Sequence, residues 1–226
     1  MPEINLPERQ GIYQESLMLE SGDTLRYTLS IPEFFSPRGK VPLVIALHYG
    51  GDVTAWYGKG YLTILVEPAL CELGAVIAAP DCPSPAGWDN PSSEAAVLAL
   101  MNHLKRYYTI DDKKVVLTGF SLGGIGTWYL AARYPDLFSA AIPVSAMPRP
   151  DMAEAVRNIP VYVIHSTGDE IFPVKRVEEM VEKLKIRGLQ VRMKTLEGIS
   201  HYQTPSFVDT LRETVPWIEQ TWQEKN

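Results

Sequence analysis

The chain has 226 residues, 46% apolar and 21% charged; this is close to the soluble globular average and excludes disorder and low-complexity architectures. Lys and Arg number 21 against 27 Asp and Glu, a formal charge of −6, and the densest basic stretch, residues 183–192, alternates with apolar residues as a solvated helix face does, so no nucleic-acid partner is expected. No run approaches the roughly 20 apolar residues of a membrane span, so no membrane partner is expected either. In chain order, residues 16–20 and 24–31 predict two strands around the turn Ser21-Gly22-Asp23. Residues 41–48 form a nearly unbroken apolar run, the mark of a strand buried on both faces. Residues 52–73 read as loop and helix, and residues 75–79 as another buried strand ended by Pro80. The Pro- and Gly-bearing stretch 80–91 is a loop long enough to suggest a functional one.

Residues 92–107 have helical spacing, with Ala96, Leu100, His103 and Leu104 on one face. Strands are then predicted at 115–120, 140–145, 161–165 and 191–196, and helices at 122–133, 174–187 and 205–223. Strand and helix alternate after residue 40 with short links. That pattern predicts an α/β fold: a mostly parallel central sheet with helices on both faces and the first hairpin antiparallel at one edge. The length fits a single domain spanning 1–226. Cys71 and Cys82 have no metal-binding or redox spacing and are expected as free, buried thiols. The opening MPEINLPERQ lacks the basic start and apolar run of a secretory signal, so a cytoplasmic location is expected.

The sharpest motif is Gly119-Phe120-Ser121-Leu122-Gly123-Gly124, between a predicted buried strand and a predicted helix. G-x-S-x-G in that setting lifts the serine hydroxyl above the sheet edge on a strained turn, and the next helix aims its N–H groups at the same place. A serine needs a base, and the base needs an orienting acid. Where this motif carries a triad, acid and base follow the serine in that order. Only His165 and His201 follow Ser121. His165 ends a predicted strand and suits a structural task; His201 lies in a loop that should open beside Ser121, and is favoured as the base. Asp169, following Gly168 on the loop after residue 165, is favoured as the acid over its neighbour Glu170. A tetrahedral intermediate needs donors for its oxyanion. The N–H of Leu122 is one, and the loop His48-Tyr49-Gly50-Gly51-Asp52 should supply the other, with His48 itself a hydrogen-bonded scaffold.

The segments LHYGG (47–51), GFSLGG (119–124), HSTGDEIFP (165–173) and GISHY (198–202) together resemble the α/β-hydrolase superfamily. They are most similar to its small, cap-free carboxylesterases, the phospholipase/carboxylesterase and feruloyl-esterase-like branches, with dienelactone-hydrolase-like and prolyl-oligopeptidase-like relatives. The resemblance implies Ser121 as nucleophile, Asp169 as acid and His201 as base; no cofactor and no metal are expected. Relatives carry H-G-x-G, whereas Tyr49 stands here where the first glycine falls. By that register Gly50 gives the second oxyanion N–H, with Tyr49 the alternative donor and its ring a candidate wall. Only fifteen residues, 146–160, separate the strand ending near 145 from the next. They are too few for a lid, so a domain without a cap and an open site are expected. Trp88 and Phe172 are the expected substrate-binding side chains, with Trp56, Tyr57 and Met147 as further candidates. The leading expectation is a serine carboxylesterase acting on small-molecule esters through an acyl-enzyme. The alternatives are a serine peptidase or aminoacyl esterase of the prolyl-oligopeptidase-like type, and a non-catalytic binding module on the same scaffold.

Overall fold

The computed structural model describes residues 6–36 and 39–224. It begins with an antiparallel hairpin, β1 (Gly11–Met18) and β2 (Thr24–Ile31), paired from Gly11 opposite Ile31 to Met18 opposite Thr24. The first strand lies earlier than residues 16–20. Leu19 and Glu20 belong to the turn, where the Leu19 N–H donates to Asp23 O at 2.8 Å and the Gly22 N–H to Leu19 O at 3.0 Å.

After the hairpin come β3 (Val41–Leu47), α1 (Tyr57–Tyr61) and α2 (Glu67–Leu70), the two helices joined through a π-helical stretch at Leu62–Val66. Then follow β4 (Val76–Pro80), α3 (Pro91–Tyr107), β5 (Ile110–Phe120), α4 (Leu122–Arg133), β6 (Ala140–Val144), α5 (Pro150–Ala155), β7 (Val161–Ser166), α6 (Val174–Ile186) and β8 (Val191–Leu196). α7 (Val208–Arg212) and α8 (Val215–Glu224) finish the fold. Among the described residues the strands form one eight-stranded sheet in the order β1-β2-β4-β3-β5-β6-β7-β8. β1 to β2 and β2 to β4 are antiparallel, and every later pairing is parallel. This is the mixed α/β sheet expected from the alternation of elements.

The sheet separates two apolar layers. One holds the buried faces of α3, α4 and α6; the other holds α1, α2, α7 and α8. β4 and β6 are buried at every position, which is why their sequences run apolar without alternation. α6 buries Val177, Met180, Val181 and Leu184, spaced as one helical stripe, and leaves Lys183 and Lys185 in solvent. α3 starts where its sequence provides a cap. The Asn90 side chain accepts from the N–H groups of Ser92 and Ser93, both at 3.1 Å, and Pro91 occupies the first turn, where no donor is needed.

The predicted closing helix 205–223 is instead a 3₁₀ turn, Thr204–Phe207, followed by α7 and α8. Pro216 has no N–H to offer a helix interior, so it is accommodated only in a fresh first turn. The Thr214 hydroxyl covers the break by donating to Leu211 O at 2.6 Å.

Candidate active site

All the parallel strands present their carboxyl ends to one edge, so the loops after β3, β5, β7 and β8 meet there. β5 ends at Phe120 and α4 starts at Leu122, leaving Ser121 alone at the corner with φ 54° and ψ −115°. A non-glycine residue at positive φ is strained by its Cβ. The strain is sustained by neighbours on both sides. Ser121 N–H donates to Val144 O at 2.9 Å, and Ser121 O accepts from Ile125 N–H at 3.0 Å. The sharp corner also needs two glycines. A Cβ on Gly123 would lie 1.9 Å from Leu47 O, and one on Gly119 would lie 2.2 Å from Gly123 O. Neither contact is possible for a larger residue, so α4 packs against β5 because of Gly119 and against β3 because of Gly123.

The structure brings Ser121, His201 and Asp169 into one hydrogen-bonded chain. His201 Nε2 is 2.8 Å from Ser121 Oγ, and His201 Nδ1 is 2.8 Å from Asp169 Oδ2. Asp169 can only accept, so the network assigns the proton to Nδ1 and leaves the Nε2 lone pair facing the serine hydroxyl. The other carboxylate oxygen, Oδ1, accepts the N–H groups of Ile171 at 2.9 Å and Phe172 at 2.8 Å. Burial raises the Asp169 carboxyl, but the His201 hydrogen bond, the Phe172 N–H and the positive potential of His201 and His165 outweigh it. The net effect holds Asp169 below the usual carboxylate range.

His165 makes no hydrogen bond to this chain, although its Nε2 lies 3.8 Å from Asp169 Oδ2. It is fully buried, and its Nε2–H donates to Phe172 O at 2.7 Å, fastening the loop that carries Asp169. Glu170 does not meet the imidazole as an alternative acid. Its Oε2 accepts the backbone N–H of His201 at 2.8 Å instead.

On the other side of Ser121, the loop after β3 is organised by His48. Its Nδ1–H donates to Tyr49 O at 2.6 Å, and its Nε2 accepts the N–H of Cys82 at 2.9 Å. This pair of roles requires a neutral ring. Burial, opposed by the Tyr49 carbonyl, pushes its pKa down to about 4. Holding Tyr49 O on one side has a further effect. In a trans peptide the following N–H points the opposite way, so the Gly50 N–H is directed away from His48. Gly50 is exposed, and a Cβ on it would lie 3.6 Å from the Leu122 side chain, so this loop lies beside the first turn of α4. Leu122 occupies that first turn, where backbone N–H groups have no partner within the helix.

The side chains expected to touch substrate divide. Phe172 stands half-buried with its ring centroid 5.7 Å from that of His201. Trp88 is corrected: it is completely buried, and its indole N–H donates to His48 O at 2.9 Å. It supports the β3 loop from beneath and presents no wall to a substrate. The Tyr49 ring is likewise half-buried, packed edge-on to Tyr57, Tyr61 and Phe120. Two residues not anticipated stand exposed near the triad: Ile171 at 48%, whose N–H donates to Asp169, and Tyr202 at 75%, whose ring centroid is 5.6 Å from that of His201. Their positions next to Asp169 and His201 in sequence were the available signal. Of the two thiols, Cys82 is buried as expected while Cys71 is exposed, and both are free. Among the described residues no group of three or more His, Cys, Asp or Glu could hold a metal ion, and no helix is long and apolar enough to cross a membrane.

Comparison with known proteins agrees with this architecture. The chain is 25% identical over 201 residues to a putative carboxymethylenebutenolidase of Aquifex aeolicus (strain VF5), covering 80% of this chain and 82% of that protein. It is 29% identical over 123 residues to Protein usf of Aquifex pyrophilus, covering 54% of this chain and 52% of that one, about half its length. In three dimensions it superposes on a thermostable esterase with a TM-score of 0.77 at 27% identity, covering 92% of this chain and 62% of the other. The α/β-hydrolase fold expected from the motifs is therefore the fold observed. The profile of the dienelactone hydrolase family matches residues 87–216, more than half of the chain and the part that runs from the β4 loop past the serine, aspartate and histidine, and the chain thus belongs to the dienelactone hydrolase family.

Proposed function

We propose that this protein is a serine carboxylesterase that hydrolyses small-molecule carboxylic esters through an acyl-enzyme. The observation that carries the reading is the continuous chain from Ser121 Oγ through His201 to Asp169, with both bonds at 2.8 Å. Ser121 Oγ attacks the ester carbonyl carbon while His201 Nε2 takes the hydroxyl proton. The carbonyl oxygen becomes an oxyanion, met by the N–H of Leu122 and the N–H of Gly50, the peptide that His48 orients. Collapse of the intermediate breaks the bond to the alcohol oxygen, which leaves with the proton from His201. Water then attacks the acyl-enzyme, His201 takes its proton, and the acid is released with Ser121 restored. Asp169 stays ionised throughout and holds the imidazole in its tautomer.

We also infer an open site in a single domain without a cap. The connection from β6 to β7 holds only the six-residue α5, and Tyr202, with its ring centroid 5.6 Å from that of His201, is exposed. The test is hydrolysis of p-nitrophenyl acetate and butyrate by the wild type and by Ser121→Ala. Loss of at least about 10³-fold in kcat with unchanged folding is expected; full activity in the variant overturns the assignment.

A further inference from the structure

We propose that Glu170 is a positioning residue for the base: by accepting the His201 backbone N–H, it places the imidazole in front of Ser121, while Asp169 sets the rotation and tautomer of the ring. This rests on the reading of Ser121, His201 and Asp169 given above.

The two loops involved come from neighbouring strands, β7 and β8. They are pressed together closely enough that a Cβ on Gly168 would lie 2.7 Å from the carbonyl carbon of Gly198. Two links join them before His201 is reached, and a third is made at His201 itself. Thr167 N–H donates to Leu196 O at 2.9 Å, the Thr167 hydroxyl accepts Gly198 N–H at 2.8 Å, and Glu170 Oε2 accepts His201 N–H at 2.8 Å.

Within its own loop, the far side of the turn is secured by Gln203. Its side-chain oxygen accepts Ser200 N–H at 2.9 Å, and its N–H donates to Ser200 O at 3.0 Å. The second of these holds the carbonyl of the Ser200–His201 peptide, but both stay within the one loop and neither reaches the loop of the acid. The bond from Glu170 is therefore the one that ties the backbone of the base to the loop of the acid. Two consecutive carboxylates act on one histidine at different atoms, Asp169 on the ring and Glu170 on the main chain. The neighbouring Ser200 side chain, the His201 N–H and the Glu170 backbone N–H draw the Glu170 carboxyl below its usual range, so it is ionised at neutral pH and available as an acceptor. Activation of Ser121 depends on a near-attack geometry, and a displacement of about 1 Å can cost about 100-fold.

The experiment compares Glu170→Gln, Glu170→Asp and Glu170→Ala in the full chain. Three quantities are read for each: the rate of labelling by a fluorophosphonate probe, kcat and KM for p-nitrophenyl acetate, and the thermal midpoint. Gln keeps the reach and an acceptor oxygen but loses the charge; Asp keeps the charge but is one methylene short. The expected result is a loss of about 10- to 100-fold in kcat and labelling rate for Asp and Ala with KM unchanged. Gln should fall by no more than about threefold. Wild-type labelling rates in Asp and Ala overturn the proposal, and so does an equal loss in Gln and Asp. Should Ala fail to fold, the contrast between Gln and Asp still decides. Ser121→Ala is run alongside: labelling that survives there sinks the underlying nucleophile assignment, whatever the Glu170 variants do.

Discussion

At the scale of single residues, the arrangement around His201 assigns one task to each ring nitrogen. Nδ1 carries the proton given to Asp169, and Nε2 carries the lone pair facing Ser121. Asp169→Asn keeps the shape, but its amide nitrogen can donate to Nδ1 and so moves the ring proton to Nε2. That tautomer cannot take the serine proton. A fall of about 10³- to 10⁴-fold in kcat is expected near pH 7, with KM little changed and the fold retained; steady-state ester hydrolysis and a thermal scan check it, and a fall of less than about tenfold would remove Asp169 from the role. The types of these residues were legible in the sequence. Ser121 stood in a five-residue motif whose flanking glycines have a steric reason, and His201 and Asp169 each followed a predicted strand in the required order. Glu170 was legible only as a second carboxylate. Its bond to the His201 backbone depends on how two loops 31 residues apart are pressed together, and no local pattern encodes that. Trp88 was misjudged for a related reason. A tryptophan in a long loop can face outwards or inwards, and the acceptor that draws it inwards, the carbonyl of His48, is 40 residues away.

At the scale of elements, most strands and helices were legible because each buries its apolar side against the sheet with a regular period. The boundaries that moved are those set by hydrogen bonds between distant backbones, such as the turn at 19–23, or by a proline, as at Pro216. The connection between the β3 and β4 loops shows what the sequence pattern misses. His48 joins them through Cys82 N–H, and Trp88 adds a second joint to the same residue. This joint works only with a neutral imidazole, and that makes it sensitive to acid. The folded pKa is about 4, below the ordinary 6.5. A histidine with a depressed folded value contributes stability that is fully present above the unfolded value and lost as pH falls towards the folded one. Between pH 7 and pH 4.5 the linked loss is about 2 kcal/mol. His48→Ala should be less stable than wild type at pH 7, and its unfolding free energy should fall less steeply over that range, by about the same amount. Urea titrations at the two pH values measure both. Equal pH slopes in the two proteins would show that His48 is not buried as a neutral ring.

At the scale of the whole molecule, one geometric fact governs access to Ser121. The parallel strands deliver the serine, the histidine and the aspartate to one edge of the sheet, while the helices are committed to the two faces. An edge covered by neither layer can be closed only by an insertion between a strand and its helix. The connection from β6 to β7 is where such an insertion would fall, and it is filled by α5. α5 buries Met152 into the layer that holds α4, and Arg187 of the α6 C-terminus anchors it through the carbonyls of Ala153 at 2.8 Å and Glu154 at 2.7 Å. On the reading proposed above, a helix pinned at its last turn to another helix stays against the body of the protein and is no lid. The rate should therefore follow the concentration of dissolved ester and ignore the appearance of an oil surface. With tributyrin raised through its solubility limit, hydrolysis is expected to rise hyperbolically and level off without a second increase when droplets form. A lidded enzyme gains from the interface because binding there opens the lid, a population shift that requires two states of different affinity. Titrimetric initial rates on either side of the limit distinguish the two cases. A jump of several-fold at the onset of emulsion would mean that the loops bearing Ile171 and Tyr202, or α5 itself, have a second position, and that the open site is only one of two states.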